Sequence, residues 1–145
     1  MNRNVFSWAM IAFATVGLFV SAYLTYLSSM PPTSCPLGSF SVFSCNEVIY
    51  SAYSKFYGIS VALLGLGWFI IAFGLILLTK RDWHFIRAVM AWSLLGTVAV
   101  VAFIYTELFL IGSVCPLCTI AHVMGIAILV LSALGVRDRT ATADS

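Results

Sequence analysis

Four apolar stretches, at residues 5–28, 59–79, 85–111 and 116–136, decide what this chain is able to fold into. A bilayer core is about 30 Å thick and an α-helix rises about 1.5 Å per residue, so about 20 apolar residues make one crossing. Each stretch is long enough. The expected fold is therefore an all-α membrane protein, a four-transmembrane-helix bundle forming one domain over residues 1–145, with a single long loop at residues 29–58 between the first two helices. The composition excludes a further soluble domain: 8% of the 145 residues are charged and 62% are hydrophobic, where a soluble domain has about a quarter charged. It also offers no basic surface for nucleic acid.

Arg3 before an apolar run, with Val20-Ser21-Ala22 resembling a small-residue cleavage site, raises the question of a signal peptide. A signal peptide's apolar region is about 7–15 residues, and this run continues to Leu27, so it reads as a span. Gly17 with Ser21, and Ala121 with Gly125, form small-xxx-small pairs suited to close helix contact. Pro31-Pro32 ends the first helix, because proline donates no hydrogen bond and restricts its predecessor. Lys80-Arg81-Asp82 reads as a short polar turn, and a polar tail follows Val136.

Lysine and arginine favour the cytoplasmic ends of spans. Arg3, Lys80, Arg81, Arg87, Arg137 and Arg139 fall at one end of the expected bundle, and only Lys55 lies in the long loop. The expected arrangement is a multi-pass protein of the cell membrane with both termini cytoplasmic. All four cysteines, Cys35, Cys45, Cys115 and Cys118, then lie at the exoplasmic (periplasmic) face, where disulfides persist.

Four cysteines admit three pairings, and spacing does not choose among them. The two pairs differ in kind. Cys115-Pro116-Leu117-Cys118 stands at the start of the last span. Proline suits the first helical position, and the unsatisfied N–H groups there favour a thiolate. Cys118 is expected to face the bundle interior and any lipid-soluble ligand held there. Cys35 and Cys45 sit on the loop, able to reach outward to a soluble protein and inward to Cys115. Structural bracing is the bland alternative, with the chain as an interaction subunit of a larger membrane complex. A zinc site lacks paired CxxC spacing, and haem attachment lacks a histidine after Cys118, so no metal is expected. His84 and His122 lie at opposite ends of the bundle and do not face one ligand.

Two blocks carry a specific likeness. Cys45-Asn46-Glu47-Val48-Ile49-Tyr50-Ser51, continuing through Tyr57-Gly58-Ile59-Ser60-Val61 to Gly65, is one. Tyr105-Thr106-Glu107-Leu108-Phe109-Leu110-Ile111-Gly112 leading into the CPLC stretch is the other. Together with the four-span order, they resemble the vitamin K epoxide reductase family in its bacterial and archaeal branch. A second type of quinone-coupled disulfide oxidase keeps its CxxC near the start of the second helix, which here begins Ile59-Ser60-Val61.

The resemblance implies a membrane thiol oxidoreductase whose electron acceptor is a quinone of ubiquinone or menaquinone type. Its partner is a separate exoplasmic thioredoxin-fold protein. Cys35 corresponds to the outer cysteine that exchanges with the partner, Cys45 to the shuttle, Cys115 to the sulfur that takes electrons from Cys45, and Cys118 to the sulfur facing the quinone. Ser51 corresponds to a serine that helps hold the loop and ring site. His122 stands where vertebrate members have a tyrosine, so vitamin K epoxide chemistry is not carried over. Beside the resemblance, His122 is four residues after Cys118 and so shares its helix face. Glu107 lies about one turn inside the third span. Each is read as a proton-handling candidate at the quinone site, against the simpler roles of an interfacial histidine and a helix–helix hydrogen bond.

Overall fold

The computed structural model describes residues 3–31 and 45–143. Among these, four helices are long and apolar enough to cross a membrane, covering Asn4–Ser28, Val61–Arg81, Trp83–Ile111 and Pro116–Asp138. The chain is an all-α, multi-pass membrane protein. In order it forms α1 (Arg3–Ser28), a short α2 (Cys45–Ile49), a two-stranded hairpin of β1 (Lys55–Phe56) and β2 (Ile59–Ser60), then α3 (Val61–Arg81), α4 (Ile86–Tyr105) and α5 (Pro116–Ala143). Phe19, Val98 and Val101 are 73%, 70% and 63% exposed. Such a belt of bare apolar side chains is what a lipid-facing surface requires.

Helix α1 packs against α3 and α5, and α4 packs against α5. Phe6, Met10, Phe69, Ile76, Ile86, Val89 and Ile128 form one core cluster, and Leu24, Leu27, Cys45, Cys115 and Leu117 form a second. The second cluster holds Cys45 and Cys115, with Cys118 packed against it. At the other end Lys80 lies over the Trp8 ring, 3.6 Å from its centroid, which fixes the end of α3 beside the start of α1. Apolar helices in lipid gain nothing from hiding hydrocarbon, so shape and hydrogen bonds hold them together. Trp68 and Trp92 illustrate this: each indole N–H donates to the other's backbone carbonyl, at 3.3 and 3.2 Å, joining α3 to α4.

The small pair on α1 meets α3. A Cβ added at Gly17 would lie 2.1 Å from the Phe69 ring, and one at Gly65 would be 3.7 Å from the Ser21 hydroxyl. Phe69 is 4% exposed and braced edge-on by Trp68, so it has little room to retreat. We expect Gly17→Ala to destabilise the bundle by about 1–3 kcal/mol through overpacking, read as a lower thermal midpoint in detergent. Gly67→Ala, with open space around its Cβ, should leave the midpoint unchanged.

The helix ends differ from the expected boundaries. Lys80 and Arg81 complete the last turn of α3 rather than forming a turn, and the break comes at Asp82. Its carboxylate accepts the His84 backbone N–H at 2.9 Å and caps the single helical turn at Trp83–Phe85. Helix α5 runs on to Ala143, because Arg137-Asp138-Arg139 ends the hydrocarbon without supplying a glycine or proline to end the helix. Residues 45–58, expected as loop, contain α2 and most of a hairpin, in which Lys55 pairs with Ser60 and Phe56 with Ile59. Tyr57 and Gly58 take φ of 52° and 84°, the two left-handed residues that a tight hairpin turn demands.

Candidate functional site

Helix α5 begins at the dithiol, and its first turn shows why the sequence arranges it so. Pro116 occupies the first helical position, where a missing N–H costs nothing. Cys115 is the capping residue. Its carbonyl accepts the Thr119 N–H at 2.9 Å, and its sulfur accepts the Cys118 N–H at 3.3 Å. The sulfur thus does what a serine hydroxyl does in an ordinary N-cap.

Cys45 opens α2 and meets Cys115 from the other side. Their sulfurs are 3.2 Å apart, in contact but well beyond the ~2.05 Å of a disulfide. Cys45 is 1% and Cys115 0% exposed, so the contact is sealed from solvent among Leu24, Leu27 and Leu117. Cys35 lies outside the described residues. A helix N-terminus is expected to lower the thiol pKa, and at Cys115 the reverse holds. The adjoining Cys118 thiol first, and burial second, push it well above the ordinary cysteine range, outweighing the N–H contact.

Cys118, half-buried, lies on the wall of a cavity of about 360 Å³ between α1, α3, α4 and α5. Glu107, His122 and Ser51 line the same cavity, so four of the residues singled out from sequence converge there. Most of the remaining wall is apolar, including Leu24, Val48, Leu64, Phe69, Val100 and Phe103. The His122 ring lies parallel to Phe103, centroids 6.3 Å apart. Ser51 donates to the Val48 carbonyl at 2.9 Å, closing the end of α2 while bordering the cavity.

Glu107 reaches the cavity through a feature that the sequence does not announce. The third span closes with a π-helical segment, Thr106–Ile111, in which the Gly112 N–H reaches back five residues to the Glu107 carbonyl at 2.9 Å. Gly112, at φ 73°, ends it in the left-handed conformation that glycine adopts most readily. The Glu107 side chain is 6% exposed and faces the backbone N–H of Cys115. A π segment inside a helix is rare and occurs mostly at functional sites.

Two further contacts were not foreseen from sequence. Ser113 donates its hydroxyl to the Glu47 carboxylate, and Tyr50 donates to the carbonyls of Leu27, at 2.8 Å, and Met30. Both tie α2 in place. Their partners are 66 and about 20 residues away in the chain, which local pattern does not reveal.

A cavity of this size, mostly apolar with a few placed polar groups, has the character of a small-molecule site. No curated protein matches the sequence. The sequence model of the vitamin K epoxide reductase family matches residues 8–133, which is most of the chain and takes in all four cysteines, and this protein belongs to that family.

Proposed function

We propose that this membrane thiol–disulfide oxidoreductase makes disulfides in an exoplasmic thioredoxin-fold protein by relaying electrons through its own cysteines to a quinone in the cavity. One observation carries the reading: Cys45 touches Cys115 at 3.2 Å, and Cys118, three residues on, borders the cavity. The sulfurs form a path from the loop to the apolar site. In this reading the Cys45 thiolate attacks the Cys115 sulfur of a Cys115–Cys118 disulfide. The Cys45–Cys115 bond forms, the Cys115–Cys118 bond breaks, and the electron pair leaves on Cys118 at the cavity wall. In this first step Cys115 is the sulfur attacked, so its own ionisation is not required. Cys35 then attacks Cys45 and frees Cys115, and the partner's dithiol reduces the resulting Cys35–Cys45 disulfide, becoming oxidised itself.

A quinone of ubiquinone or menaquinone type, held among Cys118, His122, Glu107 and the apolar wall, supplies the acceptor for the two electrons and two protons released as Cys115 and Cys118 return to a disulfide. Glu107 and His122, both on the cavity wall, are the acid–base candidates to hold or move a proton there, and Ser51 holds the end of α2 against the ring site. The same reading puts both termini in the cytoplasm and the cysteines on the exoplasmic side. Arg3, Lys80, Arg81, Arg87, Arg137 and Arg139 support this, since spans orient with their basic flanks inward. Sealed vesicles of known sidedness test function and orientation together. A reduced thioredoxin-fold protein, which does not cross the bilayer, should drive quinone reduction in right-side-out vesicles and fail in inside-out ones. The opposite sidedness would invert the topology, and failure in both would leave the cysteines as braces.

A further inference from the structure

Cys45 has to be held against Cys115, and neither segment that carries them is rigid by itself. Helix α2 has only five residues, far below the length at which a helix is stable alone. Residues 112–115 run outside regular helix between the π segment and α5. Among the described residues, Tyr50 fastens the far end of α2 to the carbonyls of Leu27 in α1 and of Met30 just beyond it, and Glu47 fastens its first turn to Ser113. The register of the second contact is what matters. Glu47 is two residues after Cys45 and Ser113 two residues before Cys115, so the hydrogen bond and the sulfur contact join the same two segments. Ser113 is 4% exposed whereas Glu47 is exposed. The hydroxyl is thus fixed by its surroundings, and the carboxylate is brought to it. Neither residue lines the cavity.

We propose that Glu47 and Ser113 are a positioning pair that sets the Cys45 sulfur against Cys115 for exchange. The inference rests on the relay reading and adds to it the device that keeps the two sulfurs in register. Holding two reacting groups together raises their effective concentration, and the quantity to measure is therefore the effective molarity of the Cys45–Cys115 pair.

The test uses the full chain in detergent with Cys35→Ala and Cys118→Ala, leaving Cys45 and Cys115 in a glutathione redox buffer. As the two thiols close to a disulfide, one glutathione disulfide is reduced to two glutathiones, and the equilibrium constant is the effective molarity. Glu47→Ala and Ser113→Ala should each lower it about tenfold, and the double variant should fall no further than either alone, as for a single shared interaction. Glu47→Gln, which keeps an acceptor oxygen and the side-chain volume, should stay within about threefold of the parent. An unchanged constant in both single variants would overturn the proposal, and so would losses that multiply in the double variant. If the parent itself formed no Cys45–Cys115 disulfide, the relay reading would fail first.

Discussion

Cys118→Ala should lower quinone reduction by roughly 10³-fold or more, the scale seen when a reacting nucleophile is removed, while leaving the protein folded. Cys118 is the only cysteine among the described residues that lines the cavity. Cys45 and Cys115 are sealed behind it, and neither touches a ring held there. The loss should be the same whether electrons come from a thioredoxin-fold protein or from dithiothreitol, because in the proposed relay both routes end at this sulfur. Cys45→Ala should separate the two donors. Dithiothreitol, small enough to reduce the Cys115–Cys118 pair directly, should still support turnover, and the protein donor should not. Following quinone absorbance with each donor measures both effects. Retention of the normal rate by Cys118→Ala would remove the sulfur–cavity contact from the mechanism.

Much of this arrangement was legible in the residues, for identifiable reasons. Span length is set by bilayer thickness, so hydrocarbon runs alone reveal the four spanning helices and their order. Boundaries failed where hydropathy and helix propensity part company. Lys80 and Arg81 are polar but good helix formers, and they also sit well near the negative end of a helix dipole. Residues 137–143 leave the hydrocarbon without leaving the helix. Pro116 announced the N-cap geometry of the Cys115–Cys118 motif, yet the motif misled about the Cys115 thiol: the number of amide donors is visible in sequence, whereas burial beside a second sulfur is not. Glu47–Ser113, Tyr50–Leu27 and the π segment depend on packing between distant segments or on one extra residue in a helical turn. Thr106-Glu107-Leu108 looks like any other helical turn, and only the tertiary fold gives it its five-residue hydrogen bond.

That π segment leads to the second large effect. Glu107 is a carboxyl buried among apolar side chains, a costly placement that in a membrane is kept where it faces a cavity or a partner. Here it faces both, the cavity on one side and the Cys115 backbone on the other. Passing two thiol hydrogens to a quinone needs a group able to carry a proton across a site with little polar lining, and proton transfer by a positioned side chain contributes about 10²–10⁴-fold. Glu107→Gln keeps the shape and the hydrogen-bonding atoms and removes the exchangeable acid. It should lower kcat for quinone reduction about 10²-fold with KM for quinone within about threefold, and should enlarge the solvent deuterium isotope effect on what rate remains. Glu107→Asp should recover part of kcat, limited by its shorter reach. His122→Phe, which keeps a ring beside Phe103, distinguishes the two candidates: a smaller fall in kcat than Glu107→Gln assigns the main proton to the carboxyl, and a larger one assigns it to the imidazole. A Glu107→Gln loss confined to KM would make Glu107 a group that holds the ring, and an unchanged kcat and KM would reduce it to a hydrogen-bonding support for the Cys115 turn.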